Sequence, residues 1–328
     1  MKATSDQEIE FSIIVETYNF DEGGEKERLR KVLRAAVGML FDGGRGELLV
    51  ADSCGDSEID KIIAVECPGA KKISAVALGY DDAKMLAAKA AAGRYILYLD
   101  GDCLPEPNWH LHLLNVLRAG KTIACGGYTR YDGGFYAALT SIMDFGFMYP
   151  VTERDLDCYA SNNCGFAREA LEKYPFPGAK MRCSCYYHAQ CFLRNNLPMR
   201  LVPAARVKHE VQPLIRERTR QGYDTVAACW TDPMLYSARW LKLGLLSVPL
   251  FYFQAVSRDW QRLLSARHEL KIDALQMLVM IVLFPLLRLI DIVGMVHAFM
   301  TGPREGGWGG LFVTSRYAKR RVDNKIRG

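Results

Sequence analysis

Between residues 11 and 102 short apolar runs alternate with longer stretches of helical spacing, and this alternation restricts the fold more than any other feature of the chain. "FSIIVETYNF" (11–20) is an apolar run ending in polar residues. "EKERLRKVLRAAVGML" (25–40) follows, with Leu29, Val32, Leu33, Ala36, Met39 and Leu40 on one helical face. "GELLVADSCGD" (46–56) and "KISAVAL" (72–78) read as further strands, and "DDAKMLAAKAAAG" (81–93) as an Ala-rich helix closed by Gly93. "YILYLDGD" (95–102) is the next strand. Strands alternating with helices predict a doubly wound, mainly parallel sheet. In such sheets ligands bind beyond the carboxyl ends of the strands. Glu16, Thr17, Asp52, Asp100 and Asp102 all fall there, so one rim is expected to hold a site.

Asp100-Gly101-Asp102 closes an otherwise apolar strand, and charge at such a place needs a compensating group. Two carboxylates so spaced can share a hard divalent cation, Mn2+ or Mg2+, and leave coordination positions for phosphate oxygens. The plain alternative is a solvated pair at a strand end.

From about 120 to 205 the pattern is mixed. "ACGGYTRYDGGFY" is expected to line a strand and loop, and "SNNCGFAREALEKYPFP" reads as a loop, a short helix and a proline stop. "MRLVPAARVKHE" (199–210) is a strand leading to His209. Ten cysteines in 328 residues show no disulfide framework, and "MKATSDQEIEF" is polar, so reduced thiols in the cytoplasm are expected. "CSCYYHAQC" holds Cys183, Cys185, His188 and Cys191 without paired C-x-x-C spacing, which favours structural thiols over zinc.

Beyond about 235 the chain turns apolar. Only the 14 residues Ala274–Leu287 lie uncharged between Asp273 and Arg288, short of the roughly 20 that a spanning helix needs. Pro285 falls within them, and Arg288 and Asp291 follow one helical turn apart. An interfacial or shallowly inserted helix fits better, with an internal core helix as the alternative. "RYAKRRVDNKIR" (316–327) opposes Arg316, Lys319, Arg320, Arg321, Lys325 and Arg327 to the single acid Asp323. Beside apolar helices such a run points to anionic lipid, and no nucleic-acid partner is expected.

Taken in order, these segments resemble family 2 glycosyltransferases of the GT-A fold. "FSIIVETYN" is similar to the family's opening "SVIIPTYN", and "LLVADSCGD" to "IVVDDGSTD". "DAKMLAAKAAAGRYILYLDGDCLPEPNW" resembles the stretch that ends in the family's D-x-D motif. "SNNCGFAREAL" and "RLVPAARVKHE" resemble its acceptor-side segment and its "P-x-A-x-V-x-H" strand. The likeness covers about residues 10 to 225. It implies a GT-A domain over 1–235, with a nucleotide-sugar half at about 10–120 and an acceptor half at about 121–235. Residues 236–328 would then be apolar and amphipathic membrane-associated helices with a basic tail. By the same likeness Glu16 and Thr17 sit beside the nucleotide base, and Asp52 accepts from a uracil-like ring. Asp100 faces ribose and metal, while Asp102 and His209 ligate the metal. Lys84 is either a diphosphate partner or a solvated helix lysine, and one of Arg216, Arg218 and Arg220 reaches phosphate.

The implied activity is metal-dependent transfer from a nucleotide-diphosphate sugar, a UDP-sugar by preference, to a lipid-linked or cell-envelope glycan. It would occur at the cytoplasmic face of a membrane, with the chain peripheral or shallowly inserted. Two departures qualify it. Glu16 stands where the family has proline, and the Glu-Asp pair about 25 residues before the matched histidine is missing. No carboxylate lies between Glu172 and Glu210. His188 is the nearest group able to take a proton near neutral pH, with Asp155 or Asp157 as carboxylates brought from elsewhere. Inversion is the favoured outcome. A retaining transferase, a nucleotidyltransferase and a non-catalytic nucleotide-sugar-binding protein stand as alternatives.

Overall fold

In a computed structural model the described residues are 8–18, 20, 26–42, 45–178, 184–197, 199–231 and 235–302. The basic run at 316–327 and Cys183 lie outside them. The chain divides into two compact units that interleave in sequence. The first comprises residues 1–129, 153–176 and 188–209, and the second 130–152, 177–187 and 210–328. The packing boundary after His209 thus falls earlier than the expected break at 235.

The first unit is built on β1 (Phe11–Glu16), α1 (Lys26–Asp42), β2 (Gly46–Asp52), α2 (Ser57–Glu66), β3 (Lys71–Ser74), α3 (Tyr80–Ala90) and β4 (Tyr95–Asp100). β5 (Cys103–Pro105), α4 (Trp109–Arg118), β6 (Ala124–Tyr131), β7 (Asp155–Leu156), β8 (Asn163–Ala167), α6 (Arg168–Lys173) and β9 (Met199–His209) complete its main elements. α5 (Phe135–Phe145) falls in the second unit, and α7 (Ser184–Arg194) straddles the boundary. The sheet has nine strands in the order β3-β2-β1-β4-β8-β6-β9-β5, with β7 on β9. β3, β2, β1 and β4 run parallel, and the antiparallel pairs β4–β8, β6–β8, β5–β9 and β7–β9 complete a mixed α/β sheet.

Every residue of β1 and β4 is buried. Continuous apolar runs of this kind suit parallel strands covered on both faces. α1 buries Leu29, Val32, Leu33, Ala36 and Met39 in the core with Ile13, Val15, Leu97 and Leu99. Two elements differ from the sequence reading. The run 72–78 leaves the sheet after Ser74, because the Leu78 amide turns back to the Ala75 carbonyl (3.0 Å) and Ala77 adopts φ +70°. "NCGFA", read as loop, is strand β8; it lacks β-branched residues and is held by ladders to β4 and β6.

The second unit holds α5, α8 (Leu214–Thr231), α9 (Val248–Ala266) and α10 (Ala274–Thr301), with a 3-10 segment Tyr236–Ser247 before α9. Its core joins Tyr223, Val226, Ala227, Phe251, Met295 and Ala298. At the α8–α10 crossing, a Cβ on Gly222 or Gly294 would lie 1.9 Å from the other helix's backbone. Only glycine permits that approach.

Candidate functional site

Strand register gathers the rim. Glu16 pairs with Ala51 and Asp100 across β1, and Asp52 with Ser74 across β2–β3. Gly101 separates the two aspartates because a Cβ there would meet Phe20 at 2.6 Å and Leu29 at 2.9 Å. Its amide donates to the Glu16 carbonyl at 2.8 Å, which ties β4's end to β1.

Glu16 is buried, and its Oε1 accepts from the Tyr18 amide (2.6 Å) and Ser53 Oγ (2.9 Å). Oε2 has no hydrogen-bond partner among the described residues. Burial, followed by the nearby Asp100 charge, raises its pKa well above the ordinary 4.5. Asp52 Oδ1 accepts from the amides of Cys54 and Gly55 (3.1 Å each), and Lys72 Nζ stands 2.9 Å from its Oδ2. Thr17 Oγ1 accepts from the Ser53 amide at 3.1 Å and donates weakly toward Asp52.

Asp100 and Asp102, one residue apart, have different partners. Asp100 Oδ1 takes Lys84 Nζ at 2.7 Å, and Tyr80 OH reaches both oxygens at 2.9 and 2.7 Å. Lys84 also donates to Tyr80 OH and to the Ser161 carbonyl, and its ammonium lies 4.1 Å from the Tyr80 ring centre. Burial by itself would favour the neutral amine, but the Asp100 charge outweighs it and Lys84 is held above its usual range. Completely buried, Lys84 is the counter-ion of Asp100 and not a solvated helix lysine.

Asp102 lies instead beside β9. The β5–β9 ladder sets Cys103 opposite His209, and His209 Nε2 stands 3.6 Å from Asp102 Oδ2. Asp102, Cys103 and His209 each offer one ligand atom, all within 4.8 Å of one another. An oxygen, a nitrogen and a sulfur are a donor set able to hold a divalent cation. Burial, then the charges of Asp102 and Asp100, push the Cys103 thiol well above its usual pKa. Arg28 braces the strands behind, donating to the carbonyls of Asp102 (3.3 Å) and Lys208. Asp100, engaged by Lys84 and Tyr80, lies outside the cluster of ligand atoms formed by Asp102, Cys103 and His209. Tyr80, Ser161, Cys103 and Arg28 escaped the sequence reading, since no motif marks them. The D-x-D spacing marked the strand end and not its partners.

His188 lies on α7, in an aromatic box. Its ring centre is 4.8 Å from those of Phe176 and Phe192, and 5.6 Å from that of Phe166. Nε2 donates to the Tyr174 carbonyl at 2.6 Å, so Nδ1 is the nitrogen that accepts from Tyr159 OH at 2.7 Å. Burial lowers its pKa to about 4. The expected base is neutral, but its lone pair is already engaged. Asp155 is exposed and pairs with Arg200 at 3.1 Å, and Asp157 is exposed. In the second unit Arg218 is buried on Asp144, and Arg220 pairs with Glu217 at 2.8 Å.

A sheet rim lined by acids, with an adjacent O/N/S donor set, lies where α/β enzymes bind their ligands. The particular family follows from comparison. The model of glycosyl transferase family 2 matches residues 12–175, and the chain belongs to that family. It is a glycosyltransferase with the mixed α/β architecture of the GT-A fold. No curated protein matches the sequence. Among solved structures the chain is similar to the mannosyltransferase PcManGT from Pyrobaculum calidifontis in complex with GDP-Man and Mn2+. The TM-score is 0.56 at 13% identity, covering 90% of this chain and 88% of that one. A mycobacterial protein aligns at TM-score 0.48 and 19% identity, covering 68% of this chain and 73% of that one.

Proposed function

We propose that the chain transfers a sugar from a nucleotide-diphosphate donor, held through a divalent cation at Asp102 and His209, to a lipid-linked or cell-envelope glycan at a membrane surface. The observation that carries this reading is the β5–β9 pairing, which brings Asp102, Cys103 and His209 within 4.8 Å of one another beside the acidic rim. A bound cation would offset the diphosphate charge as a Lewis acid. The protein's own groups do the rest. Asp52 and Thr17 shape the base side, and Asp100, fixed by Lys84 and Tyr80, faces the ribose. Burial and the neighbouring acids raise the Cys103 thiol pKa, so the carboxylate of Asp102 and the imidazole of His209 are the principal donors, a pair that suits Mn2+ or Mg2+. PcManGT is described with GDP-Man, so a donor panel covers guanosine as well as uridine sugars.

His188 is a core residue in this reading. Its bonds to Tyr159 and Tyr174 engage both ring nitrogens, so in an inverting transfer another group takes the acceptor's proton. Two apolar helices at the C-terminal end support a membrane location. Calorimetry with uridine and guanosine diphosphates, with and without Mn2+, tests the donor assignment. Metal-dependent binding of one of them is expected, and metal-independent or absent binding would overturn it. Product analysis by NMR then assigns the anomeric outcome.

A further inference from the structure

We infer that α9 and α10 form a hairpin lying in the plane of an anionic bilayer surface, one face in lipid, and do not cross the membrane. The inference rests on the membrane reading above and specifies its geometry. Length alone permits the opposite. α10 has 28 residues, about 42 Å of helix, against a hydrocarbon core of about 30 Å.

The two faces of α10 decide otherwise. Leu275, Leu278, Val282, Leu286, Leu289 and Val293 follow one another by three or four residues and are 49–72% exposed. They make one aliphatic stripe along the helix. On the other side Met280, Phe284, Arg288, Asp291, Met295 and Ala298 are buried. Arg288 is bidentate to Asp259 of α9 (2.7 and 2.9 Å), bonds Asp291 at 2.7 Å, and donates to the Met143 carbonyl of α5 at 3.2 Å. It sits near the middle of α10, so a spanning α10 would carry this network to the bilayer midplane.

The glycine crossing would carry α8 there too. Gly222 and Gly294 lock α8 to α10 at backbone contact, and α8 bears Arg216, Glu217, Arg218, Arg220 and Asp224. Charge of that density does not sit in hydrocarbon. Laid flat, α10 keeps its charged face on the protein and turns only the aliphatic stripe outward.

The lipid-side surface is also finished as lipid requires. Pro285 has no N–H, so the Ile281 carbonyl loses its helical partner. Trp260 of α9 supplies one, its Nε1 donating to Ile281 O at 3.1 Å, and Tyr252 OH donates to the Pro285 carbonyl at 3.2 Å. In a bilayer each backbone polar group needs such a partner. α9 adds exposed Leu250, Phe253 and Leu264. The sequence then continues into the run Arg316–Arg327, whose charge complements anionic headgroups. That complementarity selects lipid over a second copy of the chain.

The test adds the full chain outside preformed, sealed phosphatidylcholine–phosphatidylglycerol vesicles. Flotation and modification of Lys271 by a membrane-impermeant amine reagent are then read by mass spectrometry. Lys271 is exposed in the turn between α9 and α10. The in-plane hairpin predicts flotation and equal labelling of Lys271 before and after detergent. Labelling that requires detergent would mean a spanning hairpin and overturn the inference. So would failure to float, and concentration-dependent oligomers would then identify a second copy as the occupant. Leu286→Glu should weaken vesicle binding about tenfold or more, since a charge replaces buried apolar surface. Mn2+-dependent nucleotide binding by the same variant should be unchanged. Its loss in the unmodified chain would count against the donor reading and not against this one.

Discussion

Two buried charge clusters, one in each unit, are built differently. In the second unit Asp144, Asp259 and Asp291 face Arg218, Arg262 and Arg288, acid matched by base. At the rim of the first unit Asp52 pairs with Lys72, Asp100 with Lys84 and Asp102 with His209, beside the buried Glu16. A balanced buried cluster is complete as an internal joint. Acids buried at strand ends cost stability unless a raised pKa, as burial gives Glu16, or a bound cation offsets it. At the rim one oxygen of Glu16 has no hydrogen-bond partner among the described residues, and this sets the strand ends apart from the matched cluster.

The largest expected effect comes from unbalancing the complete cluster. Asp259→Ala leaves Arg288 buried without its bidentate partner and should cost about 3–5 kcal/mol, measured by urea unfolding. A loss below about 1 kcal/mol would mean that water reaches the cluster, and the contrast with the rim would dissolve.

Next in size is the acid limb of His188. Its folded pKa, about 4, lies below its ordinary 6.5. The unfolded chain binds this proton first as pH falls, so the stability is present above 6.5 and lost on the way down to about 4. The loss is about 3 kcal/mol over that window. His188→Gln should flatten it, and an unchanged pH profile would place the titration elsewhere. Glu16 has the opposite sign. Its raised folded pKa makes the native state hold the proton, so stability is full below 4.5 and falls as pH rises above it. The slope is at most about 1.4 kcal/mol per pH unit, and Glu16→Gln should remove it. The smallest effect is at Trp260. Trp260→Phe deprives the Ile281 carbonyl of its donor and should cost about 1 kcal/mol in detergent.

The rim was legible in the sequence because parallel strands announce their carboxyl ends, where apolar runs give way to Glu16, Asp52 and Asp100. The division of labour inside D-x-D was not. Asp100's partners Tyr80 and Lys84 come from α3 and are themselves held by Ser161, and Asp102's partner His209 comes from β9, all distant in sequence. Tertiary pairing sets these roles, so spacing alone could not assign them. β8 was missed for a related reason, since its strand conformation comes from its neighbours' ladders. His188 drew notice as the histidine in the middle of a stretch without acids, but periodicity cannot reveal that four aromatic rings surround it.

The central claim is that a cation at Asp102 and His209 holds the donor's diphosphate. Calorimetric titration of Mn2+ and then of the preferred nucleoside diphosphate into the unmodified chain and into Asp102→Asn tests it most directly. The account predicts that the substitution weakens Mn2+-dependent nucleotide binding about a hundredfold or more, since even outer partners of a metal site are worth 10- to 100-fold. Stability without metal should be unchanged or raised, because a buried carboxylate leaves the rim. Mn2+-dependent nucleotide binding that survives intact in Asp102→Asn would contradict the account.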